Sequence, residues 1–212
     1  MKLFGRAGLY VVTSSPASRG RSTEEIAEAV LASGVRLLQV REKEMTAREL
    51  TDLSRRIRKM TRRSGALLIV NDRLDAALAA EADGVHLGTD DLPVKEARRL
   101  APDLVIGAST HSVDEAVRAQ EDGASYVNIG PLFPTATKEY AGRCLGMEGL
   151  REISSHVKIP FTVMGGIRKE HVPSLLAAGA RTIAVVSAVT AAPDPAAAAA
   201  ELLEEIRRQS GG

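Results

Sequence analysis

Apolar residues gather in eight short runs, at 9–13, 36–40, 66–70, 84–87, 105–108, 126–129, 160–164 and 182–186. Most are continuous rather than alternating, the pattern of parallel strands covered on both faces. Helical patterns separate them, and three open with a capping-box pair: Ser22 with Glu25, Thr46 with Glu49, and Ser112 with Glu115. In each, hydroxyl and carboxylate are expected to satisfy reciprocal backbone donors. Gly34, Gly65, Gly84, Gly123 and Gly179 each lie shortly before a strand, where a helix can end in the left-handed conformation open to glycine. Asp194 and Pro195 stand as N-cap and first residue of a terminal helix that runs through the alanines at 196–200 to Arg208.

Eight strand–helix units predict a closed (β/α)8 TIM barrel occupying residues 1–212 as one domain, with its active site at the C-terminal ends of the strands. A doubly wound sheet also alternates strand and helix, but the early GxGxxG turn of its dinucleotide-binding members is absent. Three connections stand out. The helix around residues 74–80 is short, Thr110 leads almost directly into a helix, and residues 130–146 form a long loop of the kind that usually carries function.

Composition narrows the partners. The chain of 212 residues has 28 Lys+Arg against 27 Asp+Glu, a net charge of +1, so nothing favours nucleic acid or an acidic membrane surface and any anion must be bound locally. The lone Cys144 allows no internal disulfide and no thiolate metal cage. No apolar stretch reaches the 18 or so residues of a membrane span, and the run at 7–12 is too short for a signal-peptide core. A cytoplasmic protein is expected.

In a barrel the strand exits form the site, and here they are polar. Strand 2 leads into Gln39-Val40-Arg41-Glu42-Lys43, strand 3 into Asn71-Asp72-Arg73, and strand 4 carries His86 ahead of Asp90 and Asp91. Strand 5 ends in Ser109-Thr110-His111, the loop after strand 6 reads Pro134-Thr135-Ala136-Thr137-Lys138, strand 7 ends in Gly165-Gly166 and strand 8 in Val186-Ser187. Arg41 and Lys43 read either as solvated loop charges or as a grip on a polyphosphate. Asp72 and Asp91 read either as helix caps or as oxygen ligands for Mg2+ shared with substrate phosphates. His86 and His111 read as structural or substrate-orienting, and His156 and His171 fall in outer helices. No Cys/His set has zinc spacing. The glycine pair is a tight turn or, with Ser187, the phosphate cradle that recurs after strands 7 and 8 of barrels.

Taken together, the exits predict a diphosphate grip near strands 2 to 4 and a monophosphate cradle at strands 7 and 8. Arg41, Lys43, Lys138 and one Mg2+ carry about +5 against about −2 from Asp72 and Asp91, a balance suited to a departing diphosphate. No activated Ser, Cys or Lys nucleophile is evident, which argues against a covalent enzyme intermediate.

The motifs resemble those of the thiamine-phosphate synthase (thiamine-phosphate pyrophosphorylase) family. The match comprises QVREK at 39–43, ND at 71–72, DGVHLG at 83–88 with Asp91 following, GASTH at 107–111, GPLFPTATK at 130–138, GGI at 165–167 and VVSA at 185–188, in family order. Thr89 stands where the family more often has Gln, Met164 where Ile is usual, and residues 139–144 are less typical.

The resemblance implies coupling of 4-amino-2-methyl-5-(diphosphooxymethyl)pyrimidine with 4-methyl-5-(2-phosphoethyl)thiazole to give thiamine phosphate and diphosphate. By motif, Gln39, Arg41, Lys43, Asn71, Ser109 and Lys138 would bind the pyrimidine diphosphate, with Arg41, Lys43 and Lys138 acting in catalysis. Asp72 and Asp91 would hold Mg2+, and Thr135, Thr137, Gly166, Val186 and Ser187 would bind the thiazole phosphate. Two other functions fit parts of the chain: a TenI-type thiazole tautomerase, which shares the fold and the SxH segment but needs no diphosphate grip, and a non-enzymatic sensor of a phosphorylated ligand. Retention of Arg41, Lys43, Asp72, Asp91 and Lys138 together favours the synthase.

Overall fold

The computed structural model describes residues 4, 7–135 and 144–210. Eight parallel strands close into a barrel in sequence order, each paired with its neighbours and the last with the first. They are β1 (Leu9–Val12), β2 (Leu37–Val40), β3 (Leu67–Asn71), β4 (Gly84–Leu87), β5 (Val105–Thr110), β6 (Tyr126–Ile129), β7 (Phe161–Val163) and β8 (Thr182–Val185). The outer layer runs α1 (Thr23–Ala32), α2 (Ala47–Ser64), α3 (Leu74–Ala79), α4 (Val94–Leu100), α5 (Val113–Glu121), α6 (Gly146–His156), α7 (Val172–Ala177), the short α8 (Ser187–Thr190) and α9 (Pro195–Ser210). No described helix is long and apolar enough to cross a membrane.

Two apolar clusters explain why the runs are continuous. Outward residues such as Leu9, Val11, Leu38, Val40, Leu68 and Val70 pack beneath the helices, while Tyr10, Val12, Leu37, Ile69, Tyr126 and Ala184 fill the barrel interior. Buried on both faces, a strand has no solvent side to mark with polar residues. The interior layer needs its small residues too. A Cβ on Gly107 would lie 2.1 Å from Cζ of Tyr126, so this glycine makes the space that the tyrosine ring crosses.

The predicted signals hold with two corrections. Ser22 and Thr46 form complete capping boxes at α1 and α2, and Asp194 Oδ1 accepts from the backbone N–H of Ala196 and Ala197 at the start of α9. Ser112 forms only half of one: its Oγ accepts from Glu115 N, but the Glu115 carboxylate turns to His111, taking its backbone N–H at 2.7 Å and facing Nδ1 at 3.0 Å. Gly34, Gly65, Gly123 and Gly179 take positive φ as expected, whereas Gly84 lies inside β4. It is required there by contact, since a Cβ would sit 2.4 Å from the Val105 carbonyl oxygen.

Candidate active site

Alternation along the strands turns Gln39, Asn71, His86, Ser109, Asn128 and Met164 inward near the C-terminal ends, where they line a cavity of about 550 Å3. The following loops complete its wall with Arg41, Lys43, Asp72, Asp91, Thr135, Gly166, Val186 and Ser187. Every predicted site residue among those described therefore reaches one cavity. Thr137 and Lys138 lie outside the described residues.

Glu42 organises the β2 exit, a role that its place in an alternating charge motif did not reveal. Its buried carboxylate accepts from Thr13 Oγ1 at 2.9 Å, Ser15 N at 3.0 Å, Ser15 Oγ at 2.6 Å and Thr23 Oγ1 at 2.7 Å. Thr13 Oγ1 in turn accepts from Arg41 N at 3.0 Å. With Glu42 tied down behind the loop, Arg41 and Lys43 on either side of it face the cavity.

Neither aspartate caps a helix. The N-cap of α3 is Arg73 and that of α4 is Pro93, both without a side-chain cap. Asp72 instead takes φ +62°, anchored by its N–H to the His86 carbonyl at 2.8 Å, and its Oδ2 lies 3.3 Å from Lys43 Nζ. Asp91 Oδ2 accepts from Gly88 N at 2.7 Å. The two carboxyls meet: burial and the neighbouring Asp91 push Asp72 above the ordinary carboxylate range, against a weaker downward pull from Lys43. Two apposed acidic oxygen donors with one cation to the side match the demand of Mg2+ for one or two carboxylates plus phosphate oxygens. Among the described residues no group of three or more His, Cys, Asp or Glu could form a closed protein cage.

The opposite wall is made of backbone. Gly165 and Gly166 have φ of +104° and +61°. Their missing side chains accommodate the loop after β6: a Cβ on Gly166 would lie 2.3 Å from the Pro134 oxygen, and one on Gly165 would lie 2.6 Å from Pro131 Cα. Leu132 N donates to Met164 O at 2.9 Å and Phe133 N to Gly165 O at 3.0 Å, fastening that loop to the β7 exit. Glycine here serves loop packing before it serves any ligand. Arg168, just past the pair, also lines the cavity, a cation that the motif reading did not include.

His86 is structural in its bonds, with Nδ1 3.0 Å from the Tyr126 hydroxyl and Nε2 3.0 Å from Ser109 Oγ. Tyr10 and Tyr126 read as ordinary core residues in the sequence, yet they join this polar line. No spacing signal could have paired residues 116 positions apart.

The sequence profile described as "Thiamine monophosphate synthase" matches residues 9–189. The thiamine-phosphate synthase of Moorella thermoacetica is 48% identical over 204 residues, covering 96% of this chain and 97% of that protein. That of Archaeoglobus fulgidus is 45% identical over 204 residues, with coverages of 96% and 95%. Among solved structures, thiamine phosphate pyrophosphorylase from Pyrococcus furiosus superposes with a TM-score of 0.90 at 39% identity, covering 98% of both chains.

Proposed function

The chain belongs to the thiamine monophosphate synthase family, and we propose that its barrel mouth joins the two substrates face to face. It is a transferase, a thiamine-phosphate synthase, that couples 4-amino-2-methyl-5-(diphosphooxymethyl)pyrimidine with 4-methyl-5-(2-phosphoethyl)thiazole. The observation that carries the assignment of its residues is the shared cavity, with Arg41, Lys43, Asn71, Asp72 and Asp91 on one side and Gly166, Val186 and Ser187 on the other. The tautomerase and sensor readings are not favoured, since relatives at 45–48% identity are synthases. A cytoplasmic location accompanies this reading.

In this reading Gln39 and Ser109 hold the pyrimidine, while Arg41, Lys43, Asn71 and Lys138 bind its diphosphate. Asp72 and Asp91 would hold Mg2+, which when bound offsets charge on the diphosphate oxygens. The methylene carbon–oxygen bond breaks and its electron pair leaves with the diphosphate, while the aminopyrimidine ring delocalises the positive charge left on the methylene. The thiazole nitrogen then gives its lone pair to that carbon, forming the new carbon–nitrogen bond. Thr135, Thr137, Gly166, Val186 and Ser187 hold the thiazole phosphate so that this nitrogen faces the methylene. No side chain bonds covalently to substrate; the protein contributes positioning and electrostatics.

Incubation with both phosphorylated precursors and Mg2+, followed by chromatography, tests the assignment. Thiamine phosphate and diphosphate are expected in equal amounts. A well-folded preparation that forms neither while isomerising the thiazole would replace this reading with the tautomerase.

A further inference from the structure

The barrel interior contains a continuous polar line through otherwise apolar packing. Gln39 Nε2 donates to the Tyr10 hydroxyl at 2.6 Å, the Tyr10 and Tyr126 hydroxyls lie 3.1 Å apart, and His86 bridges Tyr126 to Ser109 at 3.0 Å on each side. Both tyrosines are essentially inaccessible, and burial raises their hydroxyls well above the ordinary range, so each keeps its single hydrogen.

That single hydrogen gives the line a direction. An amide nitrogen cannot accept, so Tyr10 receives from Gln39 and must give its own hydrogen elsewhere. Among the described residues its other hydrogen-bonding neighbour is the Tyr126 oxygen, and a buried hydroxyl hydrogen left without an acceptor is costly. Tyr126 then gives its hydrogen to His86 Nδ1. This leaves the imidazole hydrogen on Nε2, donating to Ser109 Oγ. The Ser109 hydrogen is consequently left for an acceptor in the cavity, and Gln39, having turned its nitrogen inward, offers Oε1 as an acceptor.

We propose that Tyr10, Tyr126 and His86 are positioning residues forming a directed hydrogen-bond chain that fixes Gln39 as an acceptor and Ser109 as a donor toward the substrate. An aminopyrimidine edge complements this pair, with an amino N–H for Gln39 Oε1 and a ring nitrogen for the Ser109 hydroxyl. The identity of that ligand rests on the function proposed above, whereas the direction of the chain rests on the orientation of the Gln39 amide and the buried hydroxyls beyond it.

Nitrogen-15 NMR of His86 in the ligand-free wild type tests the direction without any reaction. Protonated Nε2 and unprotonated Nδ1 are expected; a hydrogen on Nδ1 would mean the chain runs the other way and would overturn the proposal. Tyr126→Phe keeps the ring that fits against Gly107 but removes the hydrogen given to His86. It should mix the two tautomers and raise KM for the pyrimidine diphosphate about tenfold, leaving KM for the thiazole phosphate unchanged. A variant in which both KM values move together while the tautomer stays fixed would overturn the positioning role. Should Tyr126→Phe fail to fold, the wild-type spectrum decides the direction, and Tyr10→Phe, which releases the Gln39 amide, should raise KM for the pyrimidine diphosphate alone; both KM values rising together would overturn the positioning role. Expected tautomers in an enzyme that forms no thiamine phosphate would remove the proposed function and leave the chain standing.

Discussion

At the N-terminal ends of the strands, Arg58 grips Asp83 through two bonds of 2.6 and 2.8 Å, and Asp83 Oδ2 also accepts from Leu68 N at 2.8 Å. Beside it Arg98 gathers the carbonyls of Pro102, Leu104 and Gly123 at 2.7 to 3.0 Å and the Ser125 hydroxyl at 2.9 Å. At the C-terminal ends, by contrast, Asp72 is set against Asp91 and Asn71, Arg41 and Lys43 face a cavity. One end pairs opposite charges, and among the buried guanidinium nitrogens of the described residues Arg58 Nε alone lacks a partner. The other sets the Asp72 and Asp91 carboxyls together with Lys43 to one side, 3.3 Å from Asp72. The first arrangement lowers the energy of the fold; the second raises it and is intelligible only if something else completes it. In the function proposed above, stability and function are thus separated along the barrel axis, as expected of this architecture.

The largest effect should come from breaking the mouth at Asp72. Its positive φ makes Asn the proper replacement, because Asn tolerates the left-handed region at least as well as Asp while Ala adds strain. Asp72→Asn should lower kcat by roughly 10²- to 10³-fold at limiting Mg2+. Its stability should move the other way. Burial and Asp91 raise the folded-state pKa of Asp72, so the metal-free fold keeps its full stability below the ordinary carboxylate range and loses it as pH climbs from there through the raised value. Melting in EDTA should therefore coincide for variant and wild type at acid pH and favour the variant at neutral pH. A variant less stable than wild type at neutral pH would erase the contrast between the two ends.

The base predicts the opposite signature. Asp83→Asn leaves the Arg58 guanidinium without its charge partner, which should cost about 3 kcal/mol. For a chain of this size that corresponds to a melting temperature lower by roughly 6 to 12 °C. Steady-state kinetics at 25 °C should be unchanged. A fall in kcat/KM without a fall in melting temperature would mean that the base takes part in the chemistry.

How far these two ends could be read in advance depends on what each residue needs from its neighbours. Strands buried on both faces announce themselves as apolar runs, so all eight were legible, and their polar exits marked Gln39, Asn71, Ser109 and the aspartates as neighbours, which line one cavity. Glu42 was not, because its four donors come from Thr13, Ser15 and Thr23, far upstream, and in sequence it is one more charge in a charged loop. Tyr10 and Tyr126 satisfy the hydrophobic pattern, which conceals the hydroxyls that meet inside the barrel. Asp83 was read within a family motif although its bonds are to the base, with Arg58 in α2, beyond the intervening β3 and α3, as partner. Sequence spacing conveys which face a residue takes; it does not convey which distant residue waits there.

A smaller effect sharpens the contrast within the mouth. Gly166→Ala places a Cβ against the Pro134 oxygen at 2.3 Å and at φ +61°, so the loop after β6 must shift or the backbone must rotate. About 2 kcal/mol of stability should be lost, together with weakened use of both substrates. An effect confined to the thiazole phosphate, with stability intact, would show that the glycine serves the anion rather than the loop.

The smallest expected effect belongs to Ser187, and it tests whether the backbone wall holds the thiazole by its phosphate. Ser187 lines the cavity at the first position of α8, beside the Gly165-Gly166 exit. In the proposed cradle its hydroxyl is one donor among several, the rest being backbone N–H groups that Ser187→Ala leaves in place. Loss of one hydroxyl bond, partly replaced by water, should amount to about 1 kcal/mol, or about a fivefold higher KM for the thiazole phosphate. The corresponding thiazole alcohol has no phosphate for the cradle to hold. The wild type should therefore use it far less well, by orders of magnitude if several charge-assisted bonds of about 1.5 to 3 kcal/mol each are lost. Ser187→Ala should leave that poor activity unchanged, because the deleted hydroxyl has nothing to bond in the alcohol. Competition between phosphate and alcohol forms, run on both proteins, measures the two losses together. Equal use of the two forms by the wild type would show that this wall does not bind the phosphate at all, even in an enzyme that still joins the two rings.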